Sequence, residues 1–314
     1  MKFEDVEKAR LAYVEKAKSV RKKAGKVLFF VFLGIIILLI IISVINEPGT
    51  AILSPILIPS VFQVIFVPMI FALIVYFVIF SVKTKKELAD YRRSYKGYFV
   101  GQQLAKVFTN LQYNHEAGLS ESILSSTGMI NTGDRYSSND LVIGKYKDVG
   151  FTQADVHIEE EHTDSDGDTH YVTIFRGRYM IFEFPKKFDF RMIVTPCRVY
   201  GVANSKNDRK FKKIELESTE FNKKFNVYAE DGFEAFYILD PAFIASIEEL
   251  GQIYNYRLIL YFTDNKLIIG INNGNDSFEP PKPTLPLDEK AELEKTSKDI
   301  RLITNFVDEL RLDH

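Results

Sequence analysis

The sequence predicts an α+β protein in which an N-terminal two-helix transmembrane hairpin precedes a mainly antiparallel β-sheet domain with flanking helices. Two long uncharged apolar runs lie near the N-terminus. Short strand-like stretches joined by tight turns follow, with helical patterns before, between and after them. Strands joined by tight turns pair antiparallel, and helices segregated from such a sheet define the α+β class. We expect a cytoplasmic basic helix at 1–26, the transmembrane hairpin at 27–82 and a cytoplasmic domain at 83–314.

The apolar runs cover residues 27–45 and 61–82, and neither contains Asp, Glu, Lys, Arg or His. A bilayer core of about 30 Å requires about 20 apolar residues in a helix, so each run is long enough to span. The first run exceeds the apolar region of a signal peptide and no cleavage site follows it. We therefore expect both spans to be retained.

Basic residues flank the two runs. Six Lys or Arg residues lie between 16 and 26 and six between 83 and 96, whereas 46–60 contains none. Because cytoplasmic flanks carry the excess of Lys and Arg, this pattern predicts a multi-pass protein of the cell membrane with both termini in the cytoplasm.

Composition limits the chemistry. The net charge of −2 argues against nucleic acid as a partner, because that binding needs dense positive charge. Cys197 is the single cysteine, so the chain forms no internal disulfide and no cysteine-based zinc site. No phosphate-binding glycine loop or nucleophile elbow occurs, and we expect no cofactor.

Helical patterns flank the predicted strands. The spacing of apolar residues predicts a helix over 83–111 that continues the second span, and a short helix over 119–126. Asp240-Pro241 is typical of a helix start and Gly251 of its end. A closing helix is expected over 289–312.

The predicted strands are rich in β-branched and aromatic residues. They are 141–146, 150–161, 169–175, 178–184, 188–195, 211–217 and 224–230. Two further stretches, 258–262 and 266–271, flank Thr263-Asp264-Asn265, which predicts a compact hairpin. Both arms are apolar on both faces, so this hairpin is expected at the centre of the sheet.

Several sequence blocks together resemble an uncharacterised bacterial family of two-span membrane proteins, catalogued as domain of unknown function 3137. The blocks are Asp134-Arg135-Tyr136, Asn139-Asp140-Leu141-Val142 with Gly144, Phe175-Arg176-Gly177-Arg178, 221–228, Glu234-Ala235 and Ile238-Leu239-Asp240-Pro241. The resemblance covers roughly 90–310. It departs from the family at 126–130, where Ser-Thr-Gly-Met-Ile replaces the family's Ser-x-Leu-Phe, and at Asp240, where the family usually has Thr. The resemblance implies no catalytic residues.

No metal site is predicted, although one acidic segment approaches the pattern. Asp164, Asp166 and Asp168 match the first three ligand positions of a calcium loop, but Thr169 and Phe175 stand where glycine and glutamate are required. A solvated loop is the simpler interpretation.

Histidines near this loop are a second metal candidate. His157, His162 and His170 would approach one another if their strands pair. Alternation places His157 and His162 on opposite faces of an unbroken strand, which argues against a shared metal.

We expect a membrane-anchored, cytoplasm-facing binding or assembly module without catalytic activity, whose partners are the lipid bilayer and a protein. One alternative is a membrane-tethered hydrolase or metal-dependent enzyme that uses Asp134, Asp140 or the 157–170 segment. Another is a lipid-surface sensor that uses the basic residues at 83–96.

Overall fold

The structure is a computed structural model, and it describes residues 1–45, 54–197, 210–310 and 312, with backbone alone at 35–36, 38–45, 54–65, 67–68 and 184–188. The chain divides into two compact units. The helical unit consists of 1–95 and 280–287, and the sheet unit consists of 96–279 and 288–314. Residues 46–53, in the expected loop between the apolar runs, lie outside the described part.

The described helices and strands confirm the α+β class. The helices are α1 (Phe3–Ile45), α2 (Ser54–Tyr95), α3 (Gln102–Val107), α4 (Glu121–Thr127), α5 (Thr219–Lys224), α6 (Gly232–Ile238), α7 (Pro241–Ile253) and α8 (Glu289–Glu309), with a π-helical turn at Lys96–Gly101. The strands are β1 (Thr109–Asn114), β2 (Arg135–Tyr146), β3 (Val149–Thr163), β4 (Thr169–Pro196), β5 (Lys212–Ile214), β6 (Phe225–Ala229) and β7 (Leu258–Ile271).

Two long helices form most of the helical unit. Lys16 of α1 lies 3.3 Å from the carboxylate of Glu87 in α2, and the Arg21 guanidinium lies 5.5 Å from the centre of the Phe80 ring. Arg10 donates from Nη1 to the carbonyl oxygens of Pro283 and Leu285, both at 3.0 Å. These bonds hold the 280–287 segment against α1.

Within the described residues, no helix combines the length and the hydropathy needed to cross a membrane. The predicted transmembrane hairpin is therefore not confirmed. The runs at 27–45 and 61–82 on which it depends extend into residues whose side chains are not described.

One antiparallel sheet of seven strands organises the sheet unit. Its order is β1-β2-β3-β4-β6-β5, and β7 also pairs with β4. All pairings are antiparallel, as the tight turns between the strands predict. The sheet with its flanking helices matches the sequence prediction.

The hairpin expected at 258–271 is confirmed. The two ends of β7 lie side by side, since Asn272 N donates to Arg257 O at 3.0 Å, and the range pairs with β4 from Arg178↔Ile271 to Val194↔Leu260. Asp264 at the predicted turn has a φ of 48°, and the register shifts on either side of its pairing with Phe188. The left-handed residue therefore lies at the reversal of the chain, where a compact hairpin turn requires a positive φ.

The helix expected over 83–111 is interrupted. α2 ends at Tyr95, the π-helical turn follows, and residues 109–114 form β1. Phe108 leaves the helical conformation with an extended backbone, and β1 then pairs with β2. Sheet pairing here overrides the helical spacing of the sequence.

Apolar side chains bury both faces of the sheet. One face packs beneath α8, with Ile300, Ile303 and Phe306 buried against it, and includes Leu260. The other face includes Ile268 and packs beneath α4 with Leu124. β7 is therefore covered from both sides, as its doubly apolar pattern predicts.

The predicted start of α7 is confirmed. The Asp240 side chain accepts a hydrogen bond from Phe243 N at 2.8 Å, and Pro241 occupies the first turn. Gly251 does not end α7, which continues to Ile253. A Cβ at Gly251 would lie 2.7 Å from the Phe225 ring, so a larger residue at this position would clash with that ring.

Candidate functional site

A cavity of about 800 Å³ in the sheet unit is bordered by four basic residues, Arg176, Lys223, Lys224 and Arg257. We call it the basic pocket. Both strand segments that contribute the arginines are fixed by backbone bonds, since Gly274 N donates to Arg176 O at 2.9 Å and Asn272 N donates to Arg257 O at 3.0 Å. The cations thus project from an anchored framework.

The side chain of Asn272 forms two hydrogen bonds with the backbone of β4. Its Oδ1 accepts from Arg176 N at 3.0 Å, and its Nδ2 donates to Ile174 O at 3.0 Å. A neighbouring glycine allows the close approach, because a Cβ at Gly177 would lie 2.0 Å from Ile271 O. Gly177 has a φ of 151°, a conformation that favours glycine.

The four cations are compensated to different extents. Lys223 Nζ lies 2.5 Å from the Glu220 carboxylate, and Lys224 Nζ lies 4.9 Å from the centre of the Tyr256 ring. Within the described part of the chain, the guanidinium groups of Arg176 and Arg257 form neither an ion pair nor a hydrogen bond. Both arginines are exposed, so the pocket offers unpaired positive charge to solvent.

A second group of polar residues lies inside the sheet unit. This charged cluster consists of Lys96, Asp140, Asp155, Arg178, Asp276 and Glu279. Lys96 Nζ lies 2.6 Å from Asp140 Oδ2 and 2.8 Å from Glu279 Oε1. Lys96 and Asp140 are both buried, and a buried charge is tolerated only when it is paired.

Three donors converge on Asp140. Besides Lys96, Tyr113 OH donates to its Oδ1 at 2.8 Å and Asn139 Nδ2 donates to its Oδ2 at 2.9 Å. The backbone at Asp140 has a φ of 55°, an uncommon left-handed conformation that aspartate tolerates better than most residues. The residue is thus held by its side-chain partners in an otherwise unfavourable geometry.

Arg178 and Asp155 form the other half of the cluster. Arg178 donates from Nε to Ser277 Oγ at 2.6 Å and from Nη1 to Asp299 O at 2.5 Å. Ser277 N in turn donates to Asp155 Oδ2 at 2.8 Å. Asp155 Oδ1 is buried without a hydrogen-bond partner among the described residues.

Burial raises the pKa of Asp155 to about 7, because the attraction of Arg178 only partly offsets desolvation and Asp276 and Asp140 add repulsion. Burial also raises the pKa of Asp140, against the attraction of Lys96. For Lys96, desolvation lowers the pKa, but Asp140 and Glu279 together outweigh it and raise the pKa. Lys96 is therefore charged at neutral pH.

Asp140, Asp155 and Asp276 could together hold a metal ion, since one oxygen of each lies within 4.8 Å of the others. Carboxylates suit hard divalent cations. However, Lys96 and Arg178 already place two positive charges against these carboxylates. Both cations also pair with carboxylates outside these three, since Lys96 Nζ lies 2.8 Å from Glu279 and Arg178 Nη2 lies 3.4 Å from Asp299. The three aspartates thus belong to a wider ion network.

The sequence of one part of the chain matches a known family. Residues 173–312 match the family described as Protein of unknown function (DUF3137). This range contains the Phe175-Arg176-Gly177-Arg178 block and all four cations of the basic pocket. The blocks at 134–144 lie outside it.

No curated protein matches the chain. Among solved structures, the chain is similar to the crystal structure of the mycobacterial trehalose monomycolate transport factor A, TtfA, at 9% identity and a TM-score of 0.37. The alignment covers 70% of this chain and 94% of the other. At this level of similarity, nothing about function follows for the present chain.

The residues that partly match a calcium loop, Asp164, Asp166 and Asp168, lie in the exposed turn between β3 and β4, as the solvated-loop interpretation expects. Asp164 Oδ1 accepts from Asp166 N at 3.2 Å and from Asp168 N at 3.0 Å. Such bonds are typical of a turn closed by an aspartate side chain.

The structure brings two of the three candidate histidines together. His162 pairs with His170 across β3 and β4, and their rings stack with centres 6.1 Å apart. His157 pairs instead with Arg176, and its Nε2 lies 3.1 Å from Thr173 Oγ1. His157 therefore lies five positions along β3 from His162, beyond a register shift between Ile158 and Glu159.

The two aspartates of the enzyme alternative, Asp134 and Asp140, have separate surroundings. Asp134 Oδ2 accepts a hydrogen bond from Glu161 N at 2.7 Å, whereas Asp140 belongs to the charged cluster. Cys197 lines the basic pocket, and its Sγ donates to Asn222 O at 3.6 Å. A contact with a carbonyl oxygen does not activate a thiol.

Sequence reasoning missed Lys96, Asp155, Arg178 and the basic pocket. Lys96 stands 44 residues from Asp140, so no local spacing connects them. The one available signal was the Phe175-Arg176-Gly177-Arg178 block, in which a glycine separates two arginines. On β4 these arginines lie at alternate positions, and one contributes to each site.

Proposed function

We propose that this chain is a membrane-anchored binding module whose sheet unit faces the cytoplasm and carries no catalytic activity. The observation that carries the proposal is the exposure of large apolar side chains in the helical unit. Phe30 is 66% exposed, Phe71 67% and Phe77 65%. Such exposure over an extended surface is typical of contact with lipid or a protein partner.

Basic residues beside this apolar surface support a membrane location. A cavity of about 660 Å³ between α1 and α2 is lined mainly by apolar side chains, together with Lys16, Lys23 and Lys83. An apolar groove with adjacent cations suits a lipid that has an anionic headgroup. The uncharged runs at 27–45 and 61–82 supply the length that two spans need.

A binding role is favoured over catalysis by the chemistry of the two polar sites. The basic pocket is open and presents cations, which suits recognition of an anion. The charged cluster is closed, and the carboxylate of Asp140 is already engaged by Lys96, Tyr113 and Asn139. A general base must reach the proton that it abstracts, and this carboxylate is turned inward.

Alkaline carbonate extraction of cell membranes tests the anchor. The full chain is expected in the membrane pellet after carbonate and after high salt, whereas a chain that lacks 27–82 is expected in the supernatant. High salt alone would release a protein held only by its basic residues, because salt screens surface charge. Release of the full chain by either treatment would overturn the proposal.

A further inference from the structure

We propose that the basic pocket binds the phosphate group of a small anionic ligand, either a free phosphorylated compound or the headgroup of a lipid. This inference names a ligand class for the proposed binding module and therefore rests on that function. The pocket lies entirely in the sheet unit.

The charge of the pocket suits a multiply charged anion. The Glu220 carboxylate partly neutralises Lys223, which leaves Arg176, Lys224 and Arg257 as three cations without a carboxylate partner among the described residues. A phosphate monoester carries about 1.5 to 2 negative charges near neutral pH, and a pyrophosphate group carries about one more. Three cations can therefore neutralise either group.

The kind of cation also suits phosphate. A guanidinium group presents a planar fork of donors that matches two phosphate oxygens at once. Among the described residues, neither Arg176 nor Arg257 uses its fork in an ion pair or a hydrogen bond. Because their backbones are fixed by Asn272 and Gly274, binding needs to order only the side chains.

The size of the cavity indicates more than a bare ion. About 800 Å³ lies within the range of small-molecule sites, and Tyr256 contributes an aromatic surface beside Lys224. Tyr256 and the adjacent Asn255 have φ angles of 52° and 51°, a strained pair in the loop that leads to Arg257. Local backbone strain of this kind is frequent in ligand-binding loops.

The test measures binding of inorganic pyrophosphate to the full chain by calorimetry. The protein is held in phosphatidylcholine nanodiscs, with or without phosphatidic acid. The test variant is Arg176→Gln with Arg257→Gln. The matched control is Lys298→Gln with Arg301→Gln, which removes two exposed cations of α8 outside the pocket.

We expect the parent to bind pyrophosphate, the pocket variant to bind at least about tenfold more weakly and the control to stay within about twofold; a tenfold loss corresponds to about 1.4 kcal/mol. If phosphatidic acid in the disc weakens pyrophosphate binding in the parent, the ligand is a lipid headgroup; if it does not, the ligand is a free phosphate compound. Both results support the proposal.

Two results would overturn the inference: no pyrophosphate binding by the parent at millimolar concentration in either disc, or equal affinities of the parent and the pocket variant. An unchanged melting temperature of the variant, expected for exposed arginines, excludes misfolding as the cause of a loss. Carbonate extraction remains independent of this test, so failure here leaves the membrane anchor standing.

Discussion

The ammonium nitrogen of Lys96 lies 2.6 Å from Oδ2 of Asp140, and both side chains are buried. This pair connects the π-helical turn to β2. Removing one member of a buried pair leaves the other charge without compensation, which typically costs about 3–5 kcal/mol. We therefore expect Lys96→Met to lower the free energy of unfolding by about that amount in urea melts.

A matched control lies on the same strand as Asp140. Lys145→Met alters an exposed residue of β2 and should change stability by under about 0.5 kcal/mol. The double variant Lys96→Met with Asp140→Asn should recover part of the loss, because the buried charge of Asp140 is then removed and the remaining partner, Glu279, is partly exposed to water. Equal effects of Lys96→Met and Lys145→Met would show that the pair does not stabilise the fold.

Asp155 gives stability a defined pH dependence. Its pKa rises from 3.8 in the unfolded chain to about 7 in the folded protein, so the folded state binds more protons between these values. Stability from this group is complete below about pH 4 and is lost as the pH rises to about 7. Asp155→Asn should flatten the dependence of unfolding free energy on pH in this window.

The control for this experiment is Asp166→Asn in the exposed turn between β3 and β4. Its pH dependence should follow that of the parent. A parent protein whose stability rises steadily from pH 4 to pH 7 with the same slope as Asp155→Asn would contradict the assignment of a raised pKa to Asp155.

The sheet unit should depend strongly on both faces of β7. Leu260 and Ile268 are buried on opposite faces, in the two separate apolar clusters. Truncating either to Ala should cost about 2–5 kcal/mol, through lost burial and a residual cavity. Lys266→Ala, on the same strand but facing Glu183 at the surface, should cost under about 0.5 kcal/mol.

We expect the 83–314 fragment to fold without the apolar runs. Urea melts of the purified fragment and its variants therefore measure these differences in the free energy of unfolding. Equal stability of the Leu260→Ala and Lys266→Ala variants would show that β7 does not lie at the centre of the core. A fragment without a cooperative unfolding transition would instead show that the fold needs residues before 83.

The acidic turn is expected to be a solvated loop. Replacing Asp164, Asp166 and Asp168 by Asn should leave the melting temperature unchanged with and without calcium, because the bonds of Asp164 close the turn without a metal. A calcium site would instead raise the melting temperature with increasing calcium. Such a rise in the parent, absent from the triple variant, would establish a metal site.

Local sequence signals predicted the local structure well. Asp240-Pro241 caps α7, and the strand expected over 150–161 lies within β3. The closing helix expected over 289–312 is α8, and its Ile300, Ile303 and Val307 are all in the core. These features depend on neighbours within a few residues of one another.

Features that depend on long-range pairing were not predictable. Lys96 resembles the last cation of a membrane flank, yet it is buried against Asp140. Arg176 and Arg257 lie 81 residues apart, and only the pairing of β4 with β7 brings them to one pocket.

The central claim, a membrane anchor with a cytoplasmic sheet unit, is tested most directly by cysteine labelling in intact cells. Cys197 is the single cysteine, so Cys197→Ser gives a background without thiols. Into it we would introduce either Thr50→Cys, in the expected outer loop, or Lys298→Cys on exposed α8. A membrane-impermeant maleimide is expected to label position 50 in intact cells and position 298 only after lysis. Labelling of position 298 in intact cells, with position 50 protected, would contradict the proposed orientation.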